Sequence, residues 1–249
     1  MSSELLENRM PRVTTDARPI AETGSGHVLD NIVWESLVGP NRHLGEVSGL
    51  AARYDPQVAA FAGIAEDSPQ AWADLAGLLG PAGTCFFTSP RPVRPPVGWE
   101  ILGGGEGVQM VDAGVVAVPD ADVAVLGPDD IPEILDLIAR TQPGPFEPRT
   151  IEMGTYLGIR AGDRLVAMAG ERNHPLGWTE ISAVCTDADF RGQGLAGRLV
   201  RAVTYGIDQR GERALLHASG TNENAIRLYR SLGFALRRTT NFAHLRAPG

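Results

Sequence analysis

Residues 181–207 constrain this 249-residue chain more than any other stretch. Ile181 to Thr186 is apolar or β-branched, as a buried strand requires. From Leu195 onward the apolar residues Leu195, Leu199, Val200, Val203 and Ile207 recur at helical spacing. Between the two runs lie Arg191, Gly192, Gln193 and Gly194. A helix opening near Gly194 leaves its first N–H groups free with the positive end of the helix dipole behind them, and glycines let the backbone approach closely. The stretch therefore predicts an anion site that suits a pyrophosphate.

Gly192, Gly194 and Gly197 also satisfy the G-x-G-x-x-G spacing of dinucleotide sites. That fingerprint needs its glycines directly after the strand and an acid at the end of the next one. Here Asp187 to Arg191 intervene, and Glu212, the nearest suitable acid, precedes the next strand. A nicotinamide cofactor does not fit this context. A Walker loop does not fit either, because no Gly-Lys-Ser/Thr follows.

The rest of the chain reads as alternating strands and helices. Residues 1–25 are polar and punctuated by proline and glycine, and are expected to form a flexible leader. Residues 26–118 predict a small α/β region: a helix over 28–38, strands over 44–53 and 57–65, a helix from Pro69 to Leu79 capped by Ser68, a strand at 85–88, and a hairpin around the GGGEG run at 103–107. Residues 119–249 predict strand, helix, three strands, helix, strand, helix and two closing strands. This is an α/β fold with a mixed twisted sheet and flanking helices. The similar but shorter order of the first half suggests a degenerate copy of the second.

Composition narrows the class. The formal charge of −8 argues against a nucleic-acid surface. It divides as −9 over residues 1–125 and +1 over 126–249, so the half with the anion site is the richer in arginine. All 22 basic residues are Arg, so the protein cannot acylate itself on a lysine side chain. No apolar run is long enough for a membrane span, and a cytoplasmic location with no membrane partner is expected. Cys85 and Cys185 each lie in an apolar run and read as core thiols. The five histidines show no ligand spacing, so no metal is expected.

Two motifs together resemble the GNAT acyltransferase superfamily. The first is Arg191-Gly192-Gln193-Gly194-Leu195-Ala196, similar to the family's pyrophosphate loop. The second lies within residues 221–238, where Asn222, Ala225, Leu228, Tyr229, Gly233 and Phe234 match the family's Asn-x-x-Ala-x-x-Leu-Tyr followed by Gly-Phe. The resemblance covers residues 122–246, which also look like the glycine N-acyltransferase-related branch. It implies a GNAT-like acyl-CoA acyltransferase fold, with acetyl-CoA as co-substrate and a small-molecule or peptide amine as acceptor. The pyrophosphate would meet the N–H groups of residues 192–196. The pantetheine arm would lie along Val184, Cys185 and Thr186 as an added strand does, and a backbone N–H near Val184 would face the thioester oxygen.

An amine of pKa about 10.4 is neutral in only about one molecule in two thousand near pH 7, so a base is useful. The resemblance points to Glu180, which precedes Thr186 by six positions and is the sole acid of its strand. Alternation puts residues 180, 182 and 184 on one face. As a base it would need burial to raise its pKa, or a relaying water; as an ordinary strand-end carboxylate it would face solvent. The family pattern places Tyr229 to protonate the departing thiolate, whereas in an arbitrary helix it would be a core tyrosine beside Ile226 and Leu232. Asn222 is expected to cap its helix and, with Ala225, to contact the cofactor arm. Segments 143–149 and 174–178 are candidate walls for the acceptor, and an acidic first half over the cleft would favour a cationic one. If Glu180 and Tyr229 did not meet in one cleft, a CoA-binding regulatory or interaction module would be the alternative. A homo-oligomer is compatible with the chain, though nothing in the sequence specifies one.

Overall fold

The computed structural model describes residues 26–249, so the expected leader lies outside the described residues. The described residues open with a 3-10 turn at Val28–Asn31, a short α1 (Ile32–Leu37) and a three-stranded antiparallel sheet, β1 (Gly45–Ser48), β2 (Ala51–Tyr54) and β3 (Ala62–Ile64). The predicted 44–53 strand is in fact the β1–β2 hairpin, turning at Gly49, whose φ of 54° is left-handed. Helix α2 (Pro69–Leu79) forms as expected: the Ser68 hydroxyl accepts from Ala71 N at 3.3 Å, and Pro69 occupies the first turn.

A second, eight-stranded sheet draws on both halves of the sequence. It contains β4 (Thr84–Ser89), β5 (Glu100–Asp112), β6 (Ala124–Val125), β7 (Tyr156–Ala161), β8 (Arg164–Glu171), β9 (Trp178–Thr186), β10 (Arg213–Ser219) and β11 (Phe234–Arg246). Their spatial order is β4-β11-β5-β10-β9-β8-β7-β6. The expected boundary at 118/119 thus does not divide one sheet from another, because β5 lies between β10 and β11. The GGGEG run is not a hairpin turn but the middle of β5. A Cβ at Gly104 would strike the Phe242 backbone, and one at Gly107 would enter the Phe242 ring, so these glycines let β5 lie close against β11. The two closing strands are likewise one, β11, with a bulge between Leu236 and Arg238.

Helices α3 (Ile131–Thr141), α4 (Leu195–Gln209) and α5 (Glu223–Leu232) flank this sheet. Alternate residues face opposite layers. Met110, Ile181, Ala214 and Leu216 pack under α4 and α5 with Leu199, Val203, Tyr229 and Phe234. Val111 and Leu215 face the other way, onto α1 and the small sheet. Beside them Leu165, Met168 and Cys185 pack on α3. No helix among the described residues is long and apolar enough to cross a membrane.

Candidate active site

The sheet opens where β9 and β10 part. These two strands are parallel and pair from Arg213↔Trp178 as far as Leu216↔Ile181. Beyond that point Ser182–Thr186 and His217–Ser219 line the two sides of a cleft of about 600 Å³, with Tyr229, Asn222 and Ala225 of the α5 region along it. On the far side of β9 the register with β8 slips: Met168 faces Cys185 and Gly170 faces Ser182, so two residues, Ala183 and Val184, oppose Ala169 alone. Ala183 takes a left-handed φ of 52° to do so. This β-bulge leaves backbone out of the ladder. It also corrects the expected alternation. Val184 packs toward α4 on the side of Ile181, while Ala183 and Cys185 face α3.

The glycine loop lies at the mouth of this cleft. Asp187 anchors it, pairing with Arg164 at 2.6 Å and with Arg140 and accepting from Asp189 N at 3.1 Å. Gly192 and Gly194 have φ of 77° and 76°, and a Cβ at either would meet nothing, so it is the backbone angle and not crowding that requires glycine there. The first backbone hydrogen bond of α4 runs from Arg198 N to Gly194 O at 3.1 Å. The N–H groups of Leu195, Ala196 and Gly197 thus have no partner within the helix. Gly192, Gln193 and Gly194 are exposed, and Arg191 turns its Nε to Thr186 O at 3.3 Å. Thr186 Oγ1, on the cleft strand, is buried without a hydrogen-bond partner. Free N–H groups, a bulged strand without a neighbour on one side and an unpaired hydroxyl together fit a pyrophosphate followed by an extended amide chain.

Tyr229 lines the cleft and is also part of the core, its ring edge-on to Phe234 at 6.2 Å. Burial pushes its phenol up to about 12, which keeps it protonated near neutrality. Asn222 caps α5 as expected, accepting from Ala225 N at 3.1 Å. The Cys185 thiol is buried, and burial raises its pKa, the opposite of an activated nucleophile.

Glu180 is neither solvent-exposed nor free to act. Its side chain is 0% exposed and accepts four hydrogen bonds: from Arg172 Nη2 at 2.6 Å and His217 Nδ1 at 2.7 Å on one oxygen, and from Asn173 Nδ2 at 2.6 Å and Arg172 Nε at 3.0 Å on the other. These use the whole acceptor capacity of a carboxylate. Burial alone would raise its pKa. The charge of Arg172 and the hydrogen bonds from His217 and Arg172 outweigh burial and hold the group well below the ordinary glutamate range. The expectation of a base made stronger by burial is therefore corrected. Glu180 sits behind the cleft wall, and its partners Arg172 and His217 line the cleft.

Sequence reasoning missed these partners. His217 stood among five scattered histidines, yet it lies two residues beyond Leu215, the cross-strand neighbour of Glu180, and that register is the signal that could have found it. The network fixes its tautomer. Gln109, 2% exposed, accepts from Arg237 Nη1 at 2.7 Å on its oxygen, so its nitrogen donates to Leu29 O at 2.8 Å and to His217 Nε2 at 3.1 Å. Nε2 is then an acceptor, and the ring proton sits on Nδ1 facing Glu180. Of the two segments expected as acceptor walls, 143–149 reaches the cleft only with Pro143, Gly144 and Pro145, beside Thr141 and Gln142, and 174–178 does not line it. The wall contributed by the first half is aromatic, Phe61 and Phe86, and not acidic.

Comparison with known proteins agrees with this geometry. Residues 156–243 match the FR47-like protein family. A member of the GNAT family from Novosphingobium aromaticivorans is 41% identical, with a TM-score of 0.83 over 90% of this chain and all of its own. A GCN5-related N-acetyltransferase from Kribbella flavida shares the fold at 18% identity, with a TM-score of 0.57 over 88% of this chain and 96% of its own. No curated protein matches the sequence. The chain belongs to the GNAT family.

Proposed function

We propose that the protein is an N-acetyltransferase that moves the acetyl group of acetyl-CoA directly to an amine. The observation that carries this reading is the parting of β9 and β10 beside the exposed glycine loop, which leaves room for an extended cofactor arm with an anion site at its end. Acetyl-CoA supplies a thioester, whose carbonyl carbon accepts the amine and whose thiolate departs. Residues 192–196 bind the pyrophosphate through main-chain N–H groups. Val184, Cys185 and Thr186 offer backbone to the pantetheine amides, and the bulge at Ala183–Val184 turns an N–H toward the developing oxyanion. Asn222 and Ala225 hold the start of α5 against the arm.

Tyr229 serves as the donor to the thiolate. A phenol near 12 is a weaker acid than a thiol near 8.5, so it stabilises the thiolate by hydrogen bonding more readily than by completed transfer. Glu180 acts on the acceptor only by positioning the groups it holds, Arg172 and His217. The full engagement of Glu180 also favours a second reading, a CoA-binding regulatory module without turnover. Release of free thiol from acetyl-CoA separates the two. Amine-dependent release that falls in Tyr229→Phe is expected; tight acetyl-CoA binding with no release across an amine panel would contradict the enzyme.

A further inference from the structure

We infer that the acceptor is a weakly basic amine carried on an aromatic or bulky apolar body and bound in its neutral form. This rests on the acetyltransferase reading and names the substrate class of the same cleft. Two observations carry it. The first is charge. Among the described residues that line the cleft there is no Asp or Glu, and its charged side chains are Arg172 and Arg191. Glu180, held behind the wall by Arg172 and His217, has both oxygens filled and its charge matched by Arg172. An ammonium group entering here would lose water, meet no carboxylate and lie beside a guanidinium. Polyamines, aminoglycosides and lysine side chains are poor occupants on that account, whereas an amine that is neutral in water enters without this cost.

The second observation is the wall itself. Phe61, Phe86 and Phe242 come from three separate segments to one end of the cleft. Phe61 and Phe86 lie 5.8 Å apart, and Phe242 stands edge-on to His217 at 5.9 Å. An aromatic cage for a cation would need open ring faces. Here Arg172 already covers Phe61 at 4.6 Å, and His244 stacks on Phe86 at 4.6 Å. What remains suits the edge or flat body of an apolar ligand. Gly107 belongs to the same arrangement, since a side chain there would displace the Phe242 ring.

The absence of an unengaged base in this wall is consistent with such a substrate. An arylamine needs no deprotonation before attack. The proton it loses after attack can pass to water, so neither His217, with both ring nitrogens bonded, nor Glu180 must accept it directly.

The test uses the full chain with 4-methoxyaniline, benzylamine and spermidine. Calorimetry reads amine binding with and without acetyl-CoA, and thiol release reads transfer. Binding of 4-methoxyaniline at least tenfold tighter than that of spermidine and of benzylamine, which carries an aromatic ring but is an ammonium at neutral pH, is expected, with 4-methoxyaniline the best in kcat/KM. Phe242→Ala should weaken 4-methoxyaniline about tenfold and leave acetyl-CoA affinity unchanged. Phe242→Leu, which preserves bulk, is the control for folding and should lose less. Spermidine or benzylamine binding as tightly as 4-methoxyaniline, no amine binding at all, or 4-methoxyaniline binding indifferent to Phe242→Ala would overturn the inference. Binding of 4-methoxyaniline without acetyl transfer would keep the ligand class of the cleft and remove the acetyltransferase reading on which its role as acceptor rests.

Discussion

The two ends of the cleft are built in different ways. The proposed cofactor end is built chiefly from one continuous run, from the bulge in β9 through the glycine loop to the first turn of α4, with Asn222, Ala225 and Tyr229 beside it, and it presents mostly backbone. The acceptor end is gathered from β8's continuation, β10, β11 and the chain near β3 and β4, and it presents side chains: Arg172, His217, Phe242, Phe61 and Phe86. A main-chain site depends on local dihedral angles and tolerates side-chain change. A side-chain site depends on the register of strands far apart in sequence and on the charges buried behind it. The difference predicts that changes at one end should leave the other measurably intact.

The largest effect is expected behind the acceptor end. Glu180→Ala leaves Arg172 buried without its carboxylate and should cost about 3–5 kcal/mol, seen as a fall of roughly 10 °C in melting temperature. An effect below about 1 kcal/mol would mean the pair is solvated. The same group sets an acid limit. Its folded pKa lies below the ordinary 4.5, so its contribution is fully present above that value and is lost as pH falls through the depressed one. Melting temperature should drop with acid below about pH 4.5, less steeply in Glu180→Gln.

Tyr229→Phe comes next. Turnover should fall on the order of a hundredfold, with acetyl-CoA affinity within about twofold of wild type. Equal losses in both would make Tyr229 a packing residue of the core. Gly107→Ala, whose added Cβ would press on the Phe242 ring and on Ala218 O of β10, should raise the acceptor KM several-fold while the cofactor Kd stays put. If the cofactor Kd moves instead, the two ends are not separable. The smallest effect is Arg191→Ala. An exposed guanidinium near the pyrophosphate should contribute only a few-fold in affinity, and that contribution should shrink with salt.

Legibility followed the same division. The limits of the strand and helix within residues 178–209 and the α5 cap could be read directly, because the apolar runs, the helix period and the positions of Gly194, Asn222 and Gly233 are local signals. The placement of β5 between β10 and β11 could not, since nothing near GGGEG distinguishes a turn from a strand pressed against a neighbour. The bulge at Ala183–Val184 was hidden for a related reason: alternation in sequence assumes an unbroken ladder, and the slip is set by pairing with β8. Glu180 could be singled out as unusual, but its role could not be read, because Arg172, Asn173 and His217 reach it only once β8, β9 and β10 are assembled.

The central claim is that the gap between β9 and β10, with the N–H groups of the glycine loop, is a CoA site. Titration calorimetry of acetyl-CoA on wild type and Gly194→Glu tests it most directly, because the substitution forces a left-handed φ of 76° on a non-glycine residue and sets a carboxylate where the pyrophosphate would lie. The account predicts micromolar binding in the wild type and at least a hundredfold loss in the variant, with the melting temperature of the free protein lowered by only a few degrees. Equal affinity in the two proteins, or no binding in the wild type, would contradict it.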